Sequence, residues 1–133
     1  MEDWLTRVKQ NTELSRVVLS DQERTAYLPE LIDDLIVRLR SPHITVQEGG
    51  FIASPAAAIH GELRKSQGYT SAMLVQDSRI LQVTLFGTLQ KNLAALDFSL
   101  LLPDVMTIAD EVDSQLTQAM EGYMDVAGQP AAA

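Results

Sequence analysis

The feature that most constrains the fold is residues 54–96, which combine the longest apolar run of the chain with its main polar cluster. Two helices joined at Gly68 are the simplest interpretation, because glycine readily adopts the left-handed backbone that ends a helix and Thr70 can cap the next one. The second helix has apolar side chains on nearly every face of its middle, which predicts a central, buried helix. Gly87 lies inside it, where glycine costs about 1 kcal/mol relative to alanine, so we expect a close helix crossing there.

Before that stretch, the sequence predicts two helical segments. Residues 3–19 have apolar side chains at helical spacing with an interruption at 11–12, so we expect a short helix, a break and one or two further turns. Ser20 and Glu23 have the spacing of a capping box. They predict a second helix that runs to about Arg40.

Proline and glycine mark the breaks between these helices. Pro29 should kink the second helix or mark a restart, because proline lacks a backbone N–H. Residues 41–53 contain a proline and a Gly-Gly pair and are predicted to be a loop, with a short strand inside it as the alternative. Ser54 and Pro55 predict the start of a third helix, with serine as the cap and proline in the first turn. We expect the apolar side of this helix to include Ile59.

The C-terminal region predicts one long amphipathic helix. Pro103 and Asp104 are its expected start, after a turn at 97–103. The apolar stripe, with acidic residues on the opposite face, consists of Val105, Ile108, Ala109, Val112, Leu116, Ala119, Met120 and Tyr123. Residues 1–127 then form one domain, and 128–133 form a tail or the start of a linker. The predicted fold class is therefore all-α, a helical bundle of about five helices.

The charge and composition of the chain restrict its partners. The 133 residues carry a formal net charge of −8, and no Lys or Arg follows Lys91. Nucleic-acid binding depends on a basic surface that displaces counterions from phosphates, so we expect no nucleic-acid partner. The sequence has no run of about 18 apolar residues, which is the length that a membrane-spanning helix needs. The absence of Cys and a charged N-terminal sequence that is unlike a signal peptide predict a cytoplasmic protein.

The sequence contains no recognisable catalytic or metal-binding pattern. Two His and no Cys do not supply the four N or S ligands of structural zinc, so we expect neither a metal nor another cofactor. The serines lack the strand–turn–helix setting of a nucleophile elbow, which predicts that the protein is not an enzyme. His60 leaves two alternatives open, which are phosphotransfer through its imidazole and haem ligation.

Polar residues on the two central helices form the candidate site. They are His60, Arg64, Gln67, Tyr69, Asp77 and Arg79. His60 and Arg64 are one helical turn apart, and Asp77 lies on the next helix, which must pack back antiparallel. We interpret the set first as a structural network in which Asp77 pairs with Arg64 or His60, and second as a pocket for a small-molecule ligand. Tyr69 is expected to be a core aromatic with its hydroxyl at the rim.

These residues also resemble a known family. From His60 to Leu81 the pattern reads HG..R..QGY....LV.DSR.L, which resembles the signature of the RsbRD-type N-terminal domain. That domain is a sensor-like module of RsbT co-antagonist proteins and of some bacterial histidine kinases. Trp4 and the segment 28–32 extend the resemblance. Asp77 and Ser78 depart from it, because the family usually has Glu and Tyr at these two positions.

The resemblance implies a non-catalytic input domain that is helical, broadly globin-like without haem, and dimeric. Its expected partners are a second copy of itself and a downstream signalling domain, reached through the C-terminal helix. Two other functions stay open. One is a ligand-free dimerisation or interaction module, and the other is a phosphotransfer domain that uses His60.

Overall fold

The protein has an all-α fold. The computed structural model describes residues 2–40, 54–96 and 98–128, and no strand occurs among them, which confirms the predicted fold class. The helices in chain order are α1 (Glu2–Gln10), α2 (Thr12–Ser15), α3 (Asp21–Arg24), α4 (Leu28–Leu39), α5 (Pro55–Ser66), α6 (Ser71–Lys91), a short 3-10 segment (Leu93–Ala95) and α7 (Phe98–Gly128). The predicted loop at 41–53 and residues 129–133 of the predicted tail lie outside the described residues.

Local capping chemistry determines the boundaries of the first helices. Asn11 ends α1 and caps α2 by accepting a hydrogen bond from the Leu14 N–H (3.0 Å), so the predicted break is confirmed. Ser20 and Glu23 form the predicted capping box through reciprocal hydrogen bonds of 3.1 and 2.9 Å. The single helix expected from Ser20 to Arg40 is instead two helices, α3 and α4, and Pro29 lies in the first turn of α4. Pro29 therefore marks a restart.

The start of α5 and the turn between α5 and α6 both have the predicted form. Ser54 caps α5 by accepting a hydrogen bond from the Ala57 N–H (3.2 Å). Gly68 has a φ of 92°, the left-handed conformation that glycine adopts at no steric cost. Thr70 then caps α6 by accepting from the Met73 N–H (3.2 Å). We expected α6 to pack back antiparallel against α5, but its main helix contacts are with α7, α1 and α2, and α5 meets α6 chiefly through the side chains around Asp77.

The start of α7 differs from the prediction. We expected the helix to begin at Pro103-Asp104 after a turn, but it begins at Phe98 and contains Pro103. An internal proline removes one hydrogen bond and crowds the preceding turn, at a cost of about 3 kcal/mol. A helix of 31 residues with an extensive buried face can absorb that cost. Ile108, Val112, Ala119 and Tyr123 of the predicted apolar stripe are buried.

The central helix of the bundle is α7, whereas α6 was predicted to be buried on all sides. α7 packs against α4, α5 and α6. On α6, by contrast, Val75 and Val83 are more than 40% exposed. The largest apolar cluster joins α1, α2, α4 and α6 with the α5–α6 turn and consists of Trp4, Val8, Leu14, Leu28, Tyr69, Met73, Ile80 and Leu81. Since α1 contributes Trp4 and Val8, the N-terminal helix is part of the core.

Two glycines allow α5 and α7 to cross closely. A Cβ atom added to Gly61 would overlap the backbone carbonyl of Ala119, and one added to Gly122 would overlap that of Ala58. The crossing predicted at Gly87 is wrong, because a Cβ added there would meet only the Arg7 guanidinium at an ordinary contact distance of 3.6 Å. The close approach of two backbones therefore occurs one helix earlier in the chain than we predicted.

This crossing also determines which face of α5 is buried. The buried residues are Ala57, Gly61 and Arg64, whereas Ile59 is 41% exposed. Our assignment of the apolar side to the face of Ile59 is therefore wrong. Small side chains are buried because the α7 backbone leaves no room for large ones. Arg64 lies on the same face of α5, one turn after Gly61, and is therefore also buried.

Candidate functional site

Asp77 on α6 is the centre of a buried polar network, which we define as His60, Arg64, Gln67 and Asp77. Its Oδ2 atom lies 3.1 Å from His60 Nε2 and accepts a hydrogen bond of 3.2 Å from Arg64 Nε. The side chains of Asp77 and Arg64 are only 3% and 1% exposed. Asp77 thus pairs with both candidates that the sequence offered, Arg64 and His60.

Arg64 extends the network to the other helices. Its Nη1 donates to Gln67 Oε1 at 2.8 Å, and its Nη2 donates to the backbone carbonyl of Arg24 at the end of α3. The guanidinium carbon lies 4.8 Å from the centre of the Tyr69 ring, a cation–π distance. One side chain therefore connects α3, α5, α6 and the turn between α5 and α6.

Five of the six predicted site residues come together, and Arg79 does not. Arg79 is exposed and lies on a different part of α6 from Asp77. The physical reason is the helical repeat, because residues two positions apart point to nearly opposite sides of a helix. The prediction grouped Arg79 with Asp77 because both lie on the helix after Gly68, without separating the two faces of that helix.

Tyr69 is buried more deeply than predicted. Its hydroxyl was expected at the rim, but the residue is 2% exposed and the hydroxyl has no hydrogen-bond partner among the described residues. Burial raises the pKa of the phenol, although the charge of Arg64 partly offsets this effect. The backbone carbonyl of Tyr69 accepts a 2.7 Å hydrogen bond from the Tyr123 hydroxyl on α7. The α5–α6 turn is thereby joined directly to the C-terminal helix.

The electrostatics of the network keep Asp77 ionised. Burial alone would raise the pKa of Asp77, but the hydrogen bond from His60 and the charge of Arg64 outweigh it and hold the pKa below its ordinary value of 3.8. A buried carboxylate in this setting is a structural counter-ion, because it stays charged at neutral pH and its partners already occupy Oδ2.

A small cavity lies beside the network. It has a volume of about 30 Å³ and is lined by side chains from α1 and α3 to α7, including Trp4, His60, Asp77 and Ser78. Pockets that hold metabolites have volumes of about 300–1,000 Å³. The site therefore cannot admit a metabolite unless the helices move apart.

A second buried cluster, made of Arg38, Asp110, Glu111 and Gln115, was missed by sequence analysis. Arg38 donates to Asp110 Oδ2 at 2.7 Å and to Glu111 Oε1 at 3.1 Å. Gln115 donates to Glu111 Oε2 at 3.0 Å. We expected the acids of the last helix to lie opposite its apolar stripe, yet Glu111 is 2% exposed. Burial raises the pKa of Glu111, and the hydrogen bonds from Gln115 and Arg38 offset only part of this rise.

A sequence signal for the missed residues does exist. Arg24 and Arg38 continue the i, i+3, i+4 stripe of Leu28, Leu31 and Leu35, so they fall on the buried face of their helices. A charged residue in register with an apolar stripe is therefore a candidate for a buried ion pair. Arg38 forms such a pair, whereas the Arg24 guanidinium donates to the backbone carbonyl of Val17 at 2.6 Å.

Comparison of the chain with protein-family models, curated proteins and solved structures found no match in any of the three. The resemblance to the RsbRD-type domain and the globin-like shape therefore stay predictions. Within residues 2–40, 54–96 and 98–128, no group of three or more acidic or His side chains is arranged to hold a metal ion. No helix in the same ranges has the length and apolarity needed to cross a bilayer.

Proposed function

We propose that the protein is a non-catalytic, cytoplasmic regulatory input domain of a bacterial signalling protein, which acts on a partner protein or a following domain through α7. The family resemblance of the two central helices motivates this proposal. The cytoplasmic location rests on the absence of Cys. The buried network has the chemistry of a structural element, because its charged groups are paired with one another and face no substrate-sized space.

The observation that carries the proposal is the hydrogen bond between the Tyr123 hydroxyl and the Tyr69 carbonyl (2.7 Å). Tyr69 belongs to the signature and lies against Arg64, while Tyr123 lies near the end of α7. A displacement of the α5–α6 turn therefore acts on α7 without an intermediary. Regulation by this route requires two packed arrangements that a partner or ligand binds unequally.

A fusion of the whole chain to the catalytic core of a histidine kinase tests this role. Tyr123→Phe removes the hydrogen bond to Tyr69 and should change autophosphorylation several-fold, at a stability cost of about 1 kcal/mol. Tyr69→Phe is the matched control, because it also removes one phenol hydroxyl but keeps the backbone carbonyl that Tyr123 binds. Wild-type kinase output from both variants would show that the contact does not transmit.

A second candidate function is an interaction module that needs no ligand. Leu102 and Met106 are 68% and 62% exposed on the N-terminal half of α7, one helical turn apart. Large apolar side chains that are neighbours on a helix face favour protein contacts. The association state of the protein in solution tests this candidate.

A further inference from the structure

Two residues that line the cavity beside the network have buried polar atoms with unused hydrogen-bonding capacity. Trp4 and Asp77 both line it, and they are 2% and 3% exposed. Neither the indole Nε1–H of Trp4 nor Oδ1 of Asp77 has a partner among the described residues. A buried donor or acceptor without a partner costs about 1–3 kcal/mol, so two beside one cavity call for an explanation.

These two groups define what the cavity can bind. The indole N–H needs an acceptor, which excludes an ammonium-type cation, because such a group only donates. The Asp77 carboxylate stays ionised and its Oδ1 needs a donor, which excludes an anion. The molecule that satisfies both is neutral and carries a hydroxyl, or is water itself. A cavity of about 30 Å³ has space for about two water-sized units.

We propose that this cavity is a binding site for a neutral hydroxylic molecule of one or two non-hydrogen atoms, which accepts from Trp4 and donates to Asp77. Ser78 lines the same cavity and provides a hydroxyl next to the bound molecule. The site does not depend on the regulatory role, because it follows from the cavity and its two unpartnered groups. The lining of the cavity is otherwise mostly apolar, so the bound molecule depends on these few polar partners.

The chain contains one tryptophan, so the whole ¹⁵N-labelled protein has a single indole N–H signal in its NMR spectrum. Bound water should give cross-peaks of opposite sign between this proton and the water resonance in NOE and ROE spectra. Ser78→Ala removes the hydroxyl that could relay magnetisation from solvent, and the cross-peaks should persist in it. Their absence from the wild type, or their loss in Ser78→Ala, would overturn the proposal.

A titration with methanol and with ethane then distinguishes water from other hydroxylic occupants. The two molecules are matched in size, and only methanol can bind both groups. A saturable indole shift of about 0.1 ppm or more with methanol, with none for ethane, assigns the site to small hydroxylic molecules in general. If neither methanol nor ethane shifts the indole signal while the water cross-peaks are present, the site is assigned to water. An equal shift with ethane would contradict the proposed chemistry, because apolar contact would then be sufficient.

Discussion

At the scale of single residues, the arrangement around Asp77 explains why so polar a group can lie in the core. Each charge removed from water costs several kcal/mol, and a pair recovers this only with good geometry and further hydrogen bonds. Arg64 meets that condition through donors to Asp77, to Gln67 and to the Arg24 carbonyl. The network is therefore stable as a unit and vulnerable to the loss of any one member.

Asp77→Asn should destabilise the protein by about 3 kcal/mol, because it leaves the Arg64 charge buried without a counter-ion. Urea unfolding followed by circular dichroism measures this loss. Asp21→Asn is a matched control, since Asp21 pairs with Lys9 (2.8 Å) while both side chains are more than half exposed. An exposed pair of this kind contributes at most about 1 kcal/mol. Equal losses in the two variants would contradict a buried ion pair at Asp77.

The same variant predicts a pH dependence. The folded-state pKa of Asp77 is lowered, so its contribution to stability is fully present above its ordinary value of 3.8 and is lost as the pH falls through the lowered pKa. The difference in unfolding free energy between wild type and Asp77→Asn should be constant from about pH 5 to 7 and should shrink below about pH 3.8. A difference that instead grows in acid would show that the sign of the shift is wrong.

At the scale of the helices, the sequence predicted beginnings and ends better than contacts. The caps at Asn11, Ser20, Ser54 and Thr70 are local signals, because the capping side chain and the N–H that it binds lie within three residues of each other. The α5–α7 crossing is a property of two segments far apart in sequence. Nothing in the local sequence distinguishes Gly61 from Gly87, since each is a glycine inside a helix.

Gly61→Ala should destabilise the protein by at least about 2 kcal/mol, because the new methyl group meets the Ala119 backbone, which cannot rotate away as a side chain could. Gly87→Ala is the matched control and should stabilise by about 0.5–1 kcal/mol, since its methyl group has space and alanine favours a helix. Thermal and urea unfolding of both variants measure the difference. Similar effects at the two positions would contradict the close crossing.

The candidate site shows the same division between local and distant information. The spacing of His60 and Arg64 on α5, together with the short turn before α6, was enough to bring them to Asp77. The contributions of Trp4, Arg24 and Tyr123 could not be predicted in this way. They come from α1, α3 and α7, which are distant from α5 and α6 in the chain, so the network was predictable but its surroundings were not.

At the scale of the whole molecule, the exposed apolar surface of α7 is the feature that bears on assembly. Leu102 and Met106 are largely exposed near one end of the helix, and Met124 is 56% exposed near the other. Asp104, Asp110, Glu111 and Asp113 lie in the same half of α7 as Leu102 and Met106, and Arg38 neutralises part of that charge by pairing with Asp110 and Glu111. Self-association is therefore expected at the N-terminal half of α7, where apolar side chains are neighbours.

Sedimentation velocity tests this expectation over a range of concentrations. The wild type should form a dimer, and Met106→Glu should shift it towards the monomer, because a carboxylate would have to be buried in the interface. Met124→Glu places the same charge at the other end of α7 and should leave the dimer intact. A wild type that remains monomeric at high concentration would contradict the interaction module and the expected homodimer together.

The position of the α5–α7 crossing has a mechanical consequence. At about 1.5 Å per residue, Phe98 lies about 32 Å from Ala119, whereas Gly128 lies only about 9 Å beyond Gly122. If α7 tilted about the midpoint of this crossing, its N-terminal end would move about three times as far as its C-terminal end. A rotation about the helix axis, by contrast, would reach both ends undiminished. A partner or domain at the C-terminal end of α7 would therefore respond more to rotation of α7 about its axis than to tilting of α7.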